Sequence, residues 1–310
     1  MTRLFWTQRQ DIGPAARSDV ALAYDPIRQR TVLHGGRVQQ HAPTDPEFAT
    51  DTWEWDGQFW SQVSDIGPES AGGFKMAWDA TSQRIIMFGG GRMGNHPIMR
   101  HDTWEWDGEN WTQLDDGGPS ARIGFGFTSD TERKRIVLFG GASVRDDGVF
   151  TALGDTWEWD GVGWTQQEET GPSDRSGQSM AYDSLRKRIV LFGGTPINGE
   201  EHGDTWEWDG AVWTHVSDVG PSARVSAEMA FNGQQTILFG GQTLLPTSIF
   251  GDTWSWDGRF WTQRQDIGPA PRASHRLAYD SGRKRIILFG GTTQLKDVGD
   301  TWELVERSIG

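Results

Sequence analysis

The sequence predicts an all-β chain: a six-bladed β-propeller of four-stranded antiparallel blades, with the last blade closed by the N-terminal strand. Three observations carry this. The tetrapeptide Asp-Thr-Trp-Glu stands at 51–54, 102–105, 155–158, 204–207 and 300–303, with one variant at 252–255, a spacing of about 50 residues. One unit used six times is a repeat architecture. Each unit holds four short runs of β-branched and aromatic residues punctuated by Gly, Asp and Pro, and no stretch shows sustained helical periodicity. The repeat runs without a linker, so residues 1–310 are read as one domain.

The fourth copy shows the elements in order. The first strand is Ser179-Met180-Ala181-Tyr182-Asp183, and the second runs from Arg188 to a double glycine, Gly193-Gly194. The third spans 204–210 and the fourth 212–216, joined at Asp209-Gly210, a tight-turn pair. The last copy stops after its third strand. The chain opens on an orphan fourth strand, Leu4-Phe5-Trp6-Thr7-Gln8, which matches Phe260-Trp261-Thr262-Gln263. The N-terminal strand is therefore expected beside residues 300–305. Four strands repeated around a closed ring leave only short, protected edges.

The double glycines Gly35-Gly36, Gly89-Gly90, Gly140-Gly141, Gly193-Gly194, Gly240-Gly241 and Gly290-Gly291, each closing an apolar strand ahead of a Trp, resemble kelch repeats. The resemblance covers essentially the whole chain and implies a six-bladed propeller. It departs from the usual unit in having Trp-Glu-Trp where a Tyr-rich third strand is common. It does not imply one activity, because the family contains partner-binding domains, sugar oxidases and specifier enzymes of plant defence chemistry.

Composition narrows the function classes. The chain has 29 Lys+Arg against 43 Asp+Glu, a net charge of −14, so phosphate backbones and anionic lipid surfaces are poor partners. There is no cysteine, which removes disulfides, thiolate catalysis and Cys-based metal sites. The start of the chain has no apolar run of signal-peptide length, and a cytoplasmic location is the expectation. The expected state is a monomer.

The 18 tryptophans invite a sugar- or cation-binding reading. Repeat alignment places 17 of them at three repeated positions, and Trp78 where other copies have Tyr. A residue demanded in every blade is expected to pack blades together rather than grip one asymmetric ligand.

Candidate site residues lie where the copies differ. The loops between second and third strands carry Arg37, His41, Phe48, Arg92, Met93, His96, Arg145, Phe150 and Phe250. An Arg follows the blade-to-blade connection at Arg17, Arg122, Arg175, Arg224 and Arg272, with Ala71 in the remaining copy. These are read either as structural partners of an acidic group on the neighbouring blade or as a near-ring of guanidinium groups that receives a carboxylate or phosphate. The kelch resemblance implies the second use, since partner-binding relatives grip acidic peptides from comparable positions. The start of the innermost strand varies most and puts Asp19, Lys75, Gln178, Glu228, His275 and Arg276 near the axis. His34 replaces the Phe found before Gly-Gly in the other copies.

No cofactor or metal is expected. The histidines show no zinc-type spacing, and no Gly-rich phosphate loop precedes a helix. The Glu-x-x-x-Asp-x-x-x-His iron pattern of specifier relatives is absent, and without Cys the Tyr–Cys crosslink of kelch-type copper oxidases cannot form. The leading reading is a binding module presenting its loop face and channel mouth to a protein, a peptide or a polar small molecule, one that is anionic if the arginines serve it. The alternative is a cofactor-free lyase, isomerase or cyclase using His275, Glu228, Asp19, Lys75 and Arg276, since His and carboxylates supply acid–base chemistry. A lectin using exposed Trp is the third.

Overall fold

The computed structural model describes residues 2–9, 12–38, 47–69, 71–92, 98–115, 117–145, 148–167, 170–264 and 267–308. Among them are six four-stranded sheets. Blade 1 is Ala21–Asp25, Arg30–His34, Thr52–Trp55 and Trp60–Ser64. Blade 2 is Lys75–Asp79, Arg84–Phe88, Thr103–Trp106 and Trp111–Asp115. Blade 3 is Gly126–Asp130, Arg135–Val144, Phe150–Trp159 and Trp164–Gln166. Blade 4 is Ser179–Asp183, Arg188–Phe192, Thr205–Trp208 and Trp213–Ser217. Blade 5 is Glu228–Phe231, Thr236–Phe239, Thr253–Trp256 and Trp261–Arg264. Blade 6 is Arg276–Asp280, Arg285–Phe289 and Thr301–Ser308, with Thr2–Gln8 as its outer strand.

The N-terminal strand closes blade 6 antiparallel to the last strand, in the register Trp6↔Leu304 and Gln8↔Trp302. The apolar core is a ring. Each of six clusters joins two adjacent blades, and the cluster of Val20, Leu22, Leu33 and Trp55 includes Ile287 and Phe289 of blade 6, which closes the circle. The second-to-third strand loops hold more structure than their sequence suggests. Blade 3 extends its hairpin through 144 and 150, where a loop over 142–154 is expected. Short pairs also form at Gly91–Arg92 with Ile98–Met99 and at Gln242–Leu244 with Thr247–Ile249.

The repeated tetrapeptide accounts for how blades are joined. Its Thr Oγ1 takes the indole N–H of the outer-strand Trp of the next blade: Trp111 to Thr52, Trp164 to Thr103, Trp213 to Thr156, Trp261 to Thr205, Trp6 to Thr253 and Trp60 to Thr301. Its first Trp donates back to its own Asp, as Trp206 does to Asp204 at 2.7 Å. In three copies its Glu accepts from the second Trp of the next blade: Glu54 from Trp106, Glu158 from Trp208, and Glu207 from Trp256 at 2.9 Å. None of the 18 tryptophans is exposed. A sugar platform on exposed Trp, the basis of the lectin reading, is therefore not present.

The Asp of the tetrapeptide holds the repeated Arg. Arg175 meets Asp204 through both guanidinium arms at 2.6 and 3.0 Å, and donates to the carbonyls of Gly193 and Ser173 and to Ser173 Oγ. All five of its N–H donors are satisfied. Arg17–Asp51, Arg122–Asp155, Arg224–Asp252 and Arg272–Asp300 repeat the fork. The pairing is within the blade that the Arg leads, not with the neighbouring blade as expected. The neighbour is reached by the Arg backbone: the Arg224 carbonyl accepts from Gly194 of blade 4 at 3.0 Å, and the Arg17 carbonyl from Gly291 of blade 6 at 3.0 Å. The first glycine of each pair takes a positive φ, and at Gly290 a Cβ would stand 2.5 Å from the Arg17 carbonyl oxygen. Only Gly admits that approach. Blade 2 lacks the Arg, and Asp102 is met instead by Arg100 at 3.4 Å, with Arg100 also on Glu69.

Two outcomes follow. Deletion of residues 1–9 removes the outer strand of blade 6 and is expected to unfold or aggregate the protein; an unchanged melting temperature contradicts it. Asp204→Asn strands a buried guanidinium and is expected to cost about 3–5 kcal/mol in denaturant unfolding. Burial pushes the carboxyls of Asp51, Asp155, Asp204, Asp252 and Asp300 upward, but the hydrogen bonds from Arg and Trp hold each below the usual carboxylate value. The unfolded chain therefore takes up protons first as pH falls. This stabilisation is full above the ordinary carboxylate range and is lost as pH drops through the folded values. An acid-unfolding curve for Asp204→Asn that tracks the wild type contradicts the account.

Candidate functional site

The axis is surrounded by the innermost strands and by the residues that lead into them. Two positions before each inner strand the backbone turns left-handed: Asp19, Gly73, Gly124, Gly177, Ser226 and Ser274 all have positive φ, from 54° to 73°. Their amides link neighbouring blades at the axis. Gly73 donates to Asp19, Asp19 to Ser274, Ser274 to Ser226, Ser226 to Gly177 and Gly177 to Gly124, at 2.7–3.0 Å. Three of the six are not glycine, so the left-handed turn is held against its usual cost. The belt that results has two halves. Blades 2, 3 and 4 present bare backbone, whereas blades 5, 6 and 1 present Ser226, Ser274 and Asp19.

This belt rings a cavity of about 410 Å³ on the side of the second-to-third strand loops. Phe48, Arg37, Ile123 and Leu244 also line it. Arg37 lies 3.7 Å from the buried carboxylate of Asp297. The floor is made by the first residues of three inner strands. Lys75 of blade 2 reaches across the axis, Nζ standing 2.8 and 3.1 Å from the two oxygens of Glu228 on blade 5. It can span the channel because the same position is Ala21, Gly126 and Ser179 in blades 1, 3 and 4. Arg276 of blade 6 shares Glu228 at 3.2 Å and donates to the His275 carbonyl at 3.1 Å, while its Nε has no partner. Two cations thus share one carboxylate. Burial and the neighbouring Arg276 bring the Lys75 ammonium down to about 8, against the opposing pull of Glu228 and Asp19. Beyond this floor a second cavity of about 480 Å³ opens on the opposite face, walled by Tyr24, Trp78, Tyr182, Phe231 and Tyr279.

The structure sorts the sequence candidates. Asp19, Lys75, Gln178, Glu228, Arg276 and Phe48 line the first cavity. Gln178 also ties blade 4 to blade 3 through the Phe139 carbonyl at 2.8 Å. His275 does not face the cavity. It is fully buried, its ring edge-on to Phe239 at 5.4 Å, and burial followed by Arg272 and Arg276 drives its pKa well below the usual value. It therefore stays neutral and away from solvent, which removes it as the acid–base residue. His34 is also fully buried, bonded through Nδ1 to Thr52 at 3.0 Å and held near pKa 4 by burial. It packs between Phe74 and Trp111 and is not a ligand-binding residue.

Arg17, Arg122, Arg175, Arg224 and Arg272 are buried with their guanidinium groups paired to Asp. They form no anion-receiving ring. Phe250 lies 3.9 Å under the Arg224 guanidinium as part of that pairing, Arg92 stacks on Phe48 at 5.6 Å, and Phe150 pairs with Val144 in the blade 3 hairpin. His41, Met93 and His96 lie outside the described residues. Ser226 and Ser274 are among the cavity residues that sequence reasoning passed over. The signal was a column in which Gly, Ser and Asp replace one another at a single repeated position.

His275→Phe is expected to fold with equal or higher stability, because the larger apolar ring fills the same slot against Phe239 without a buried imidazole. A melting temperature lower by several degrees contradicts this placement.

A family model described as the KLHDC2/KLHL20/DRC7 Kelch-repeats domain matches residues 126–306, more than half of the chain. Among solved structures, one titled "Structure of YjhT" superposes with a TM-score of 0.74 at 13% identity, covering 96% of this chain and 99% of that one. At that identity the likeness shows the fold alone. A comparison with curated proteins finds no match.

Proposed function

The chain belongs to the kelch-repeat family, and from that premise we propose that it is a binding module whose axial cavity takes a polar ligand with an anionic group. The observation that carries this is the cavity floor, where Lys75 and Arg276 share the single carboxylate of Glu228 and Arg276 Nε is unpartnered. An anionic group seated there supplies acceptors for the Arg276 donors that Glu228 leaves unmet. Ser226, Ser274 and Asp19 serve the ligand's hydroxyl or amide groups, and Gly73, Gly124 and Gly177 let its other side approach the backbone closely. Kelch-repeat domains commonly mediate protein interactions, so the ligand is either a small molecule or the anionic tip of a partner entering from the loop face. Concave sites with a few convergent polar groups are the usual form of small-ligand pockets.

A thermal-shift and calorimetric panel tests this. Small carboxylates are expected to stabilise the protein in a concentration-dependent way, and neutral or cationic analogues are not. Arg276→Met removes the response. Equal responses to neutral and anionic compounds, or a response intact in Arg276→Met, overturn the reading. Because the Lys75 ammonium, brought down to about 8, loses its charge as pH rises through that value, carboxylate affinity is expected to weaken over the same range. A flat profile from pH 6 to 9 removes Lys75 from the seat.

A further inference from the structure

Lys75 is placed differently from the chain's other lysines. Lys134, Lys187, Lys284 and Lys296 are exposed, whereas the Lys75 side chain is 12% exposed at the floor of an open cavity. It lines both axial cavities. It lies against a carboxylate able to move a proton, beside an arginine with unused donor capacity. An amine, an adjacent proton carrier and a carboxylate seat converging on one cavity form the constellation needed for attack on a carbonyl flanked by a carboxylate.

We propose that Lys75 is a carbonyl-reactive amine that forms an imine with small 2-oxo acids bound in the axial cavity. This rests on the anion-binding reading above and names its ligand class. Glu228 takes a proton from the Lys75 ammonium. The freed lone pair on Nζ then forms a bond to the carbonyl carbon, and the π pair moves to oxygen, which takes a second proton from nitrogen to give a neutral carbinolamine. The hydroxyl leaves as water with the proton held by Glu228, and the nitrogen lone pair closes the C=N bond. The sum is ammonium plus carbonyl giving protonated imine plus water, with Glu228 returned to its carboxylate. Arg276 holds the ligand carboxylate during this sequence. The desolvation that lowers the Lys75 pKa to about 8 raises its free-amine fraction near neutrality, in support of the geometry.

The test uses glyoxylate with sodium cyanoborohydride at neutral pH. The hydride reduces any imine to a stable carboxymethyl-lysine, located by peptide mapping. The four exposed lysines serve as internal controls. Lys75 is expected to be labelled at least about tenfold faster than any of them, since one pKa unit alone is a factor of ten in free amine. Lys75→Arg abolishes this adduct and leaves the surface pattern unchanged. Labelling of Lys75 no faster than the surface lysines overturns the proposal.

Malonate, a dicarboxylate without a ketone or aldehyde carbonyl, separates the two layers. If malonate raises the melting temperature and Lys75 is not labelled, the imine falls and the binding reading stands. If Lys75 is labelled but malonate neither protects it nor stabilises the protein, the carboxylate seat falls, and with it the 2-oxo acid class.

Discussion

The structure depends on one buried arrangement: an Arg whose side chain forks onto the Asp of its own blade while its carbonyl accepts from the double glycine of the blade before. Arg175 with Asp204 and Gly141 is one instance. Sheets twist and would splay apart at the axis if only apolar side chains joined them. The carbonyl-to-glycine bond sets the distance between blades, and the salt bridge fixes the peptide that offers the carbonyl. Such a pair contributes more to geometry than to net stability, since its desolvation offsets much of its attraction. The outer rim is fixed separately by the Trp-to-Thr bonds, so five of the six blade junctions carry both ties; the junction of blades 1 and 2, where Ala71 stands in place of the Arg, is held by the Trp111-to-Thr52 bond and by the Gly73 amide on the Asp19 carbonyl.

A scaffold tied in this way leaves the axis free to vary. The inner-strand residues that face the channel have no packing duty shared by all six blades. Small residues in three blades make room for Lys75 to cross to Glu228, a contact between residues far apart in sequence. The charge arrangement at the floor is thus a property of this chain and not of the repeat. The belt of left-handed residues above it is a compromise. Its backbone conformation is common to all blades, and its side chains are limited to Gly, Ser or Asp.

Much of the fold was legible because the signal repeats. Asp-Thr-Trp-Glu, the double glycines and the orphan strand at Leu4–Gln8 each point to one closed ring, and the match between Trp6 and Trp261 identified the closing strand. The tryptophans were assigned to packing by the same logic. The site was only partly legible. His275 and Arg276 are adjacent, and both depart from the repeat, yet successive strand residues face opposite ways. Arg276 enters the channel and His275 the gap between blades 5 and 6. The five arginines were ambiguous because an Arg required in most blades looks the same whether it meets an internal Asp or a ligand. Their burial decides it. Lys75 and Glu228 were visible as departures, but their contact across the axis was not, because no local pattern links blades 2 and 5.

The central claim is that an anionic group settles on the axis over Lys75 and Arg276. A crystal structure grown with a small dicarboxylate tests it most directly. The account predicts density in the axial cavity with one carboxylate in contact with both Arg276 and Lys75 and the rest of the ligand on the side of Ser226, Ser274 and Asp19. An axis holding only water, with the dicarboxylate bound elsewhere or not at all, contradicts it.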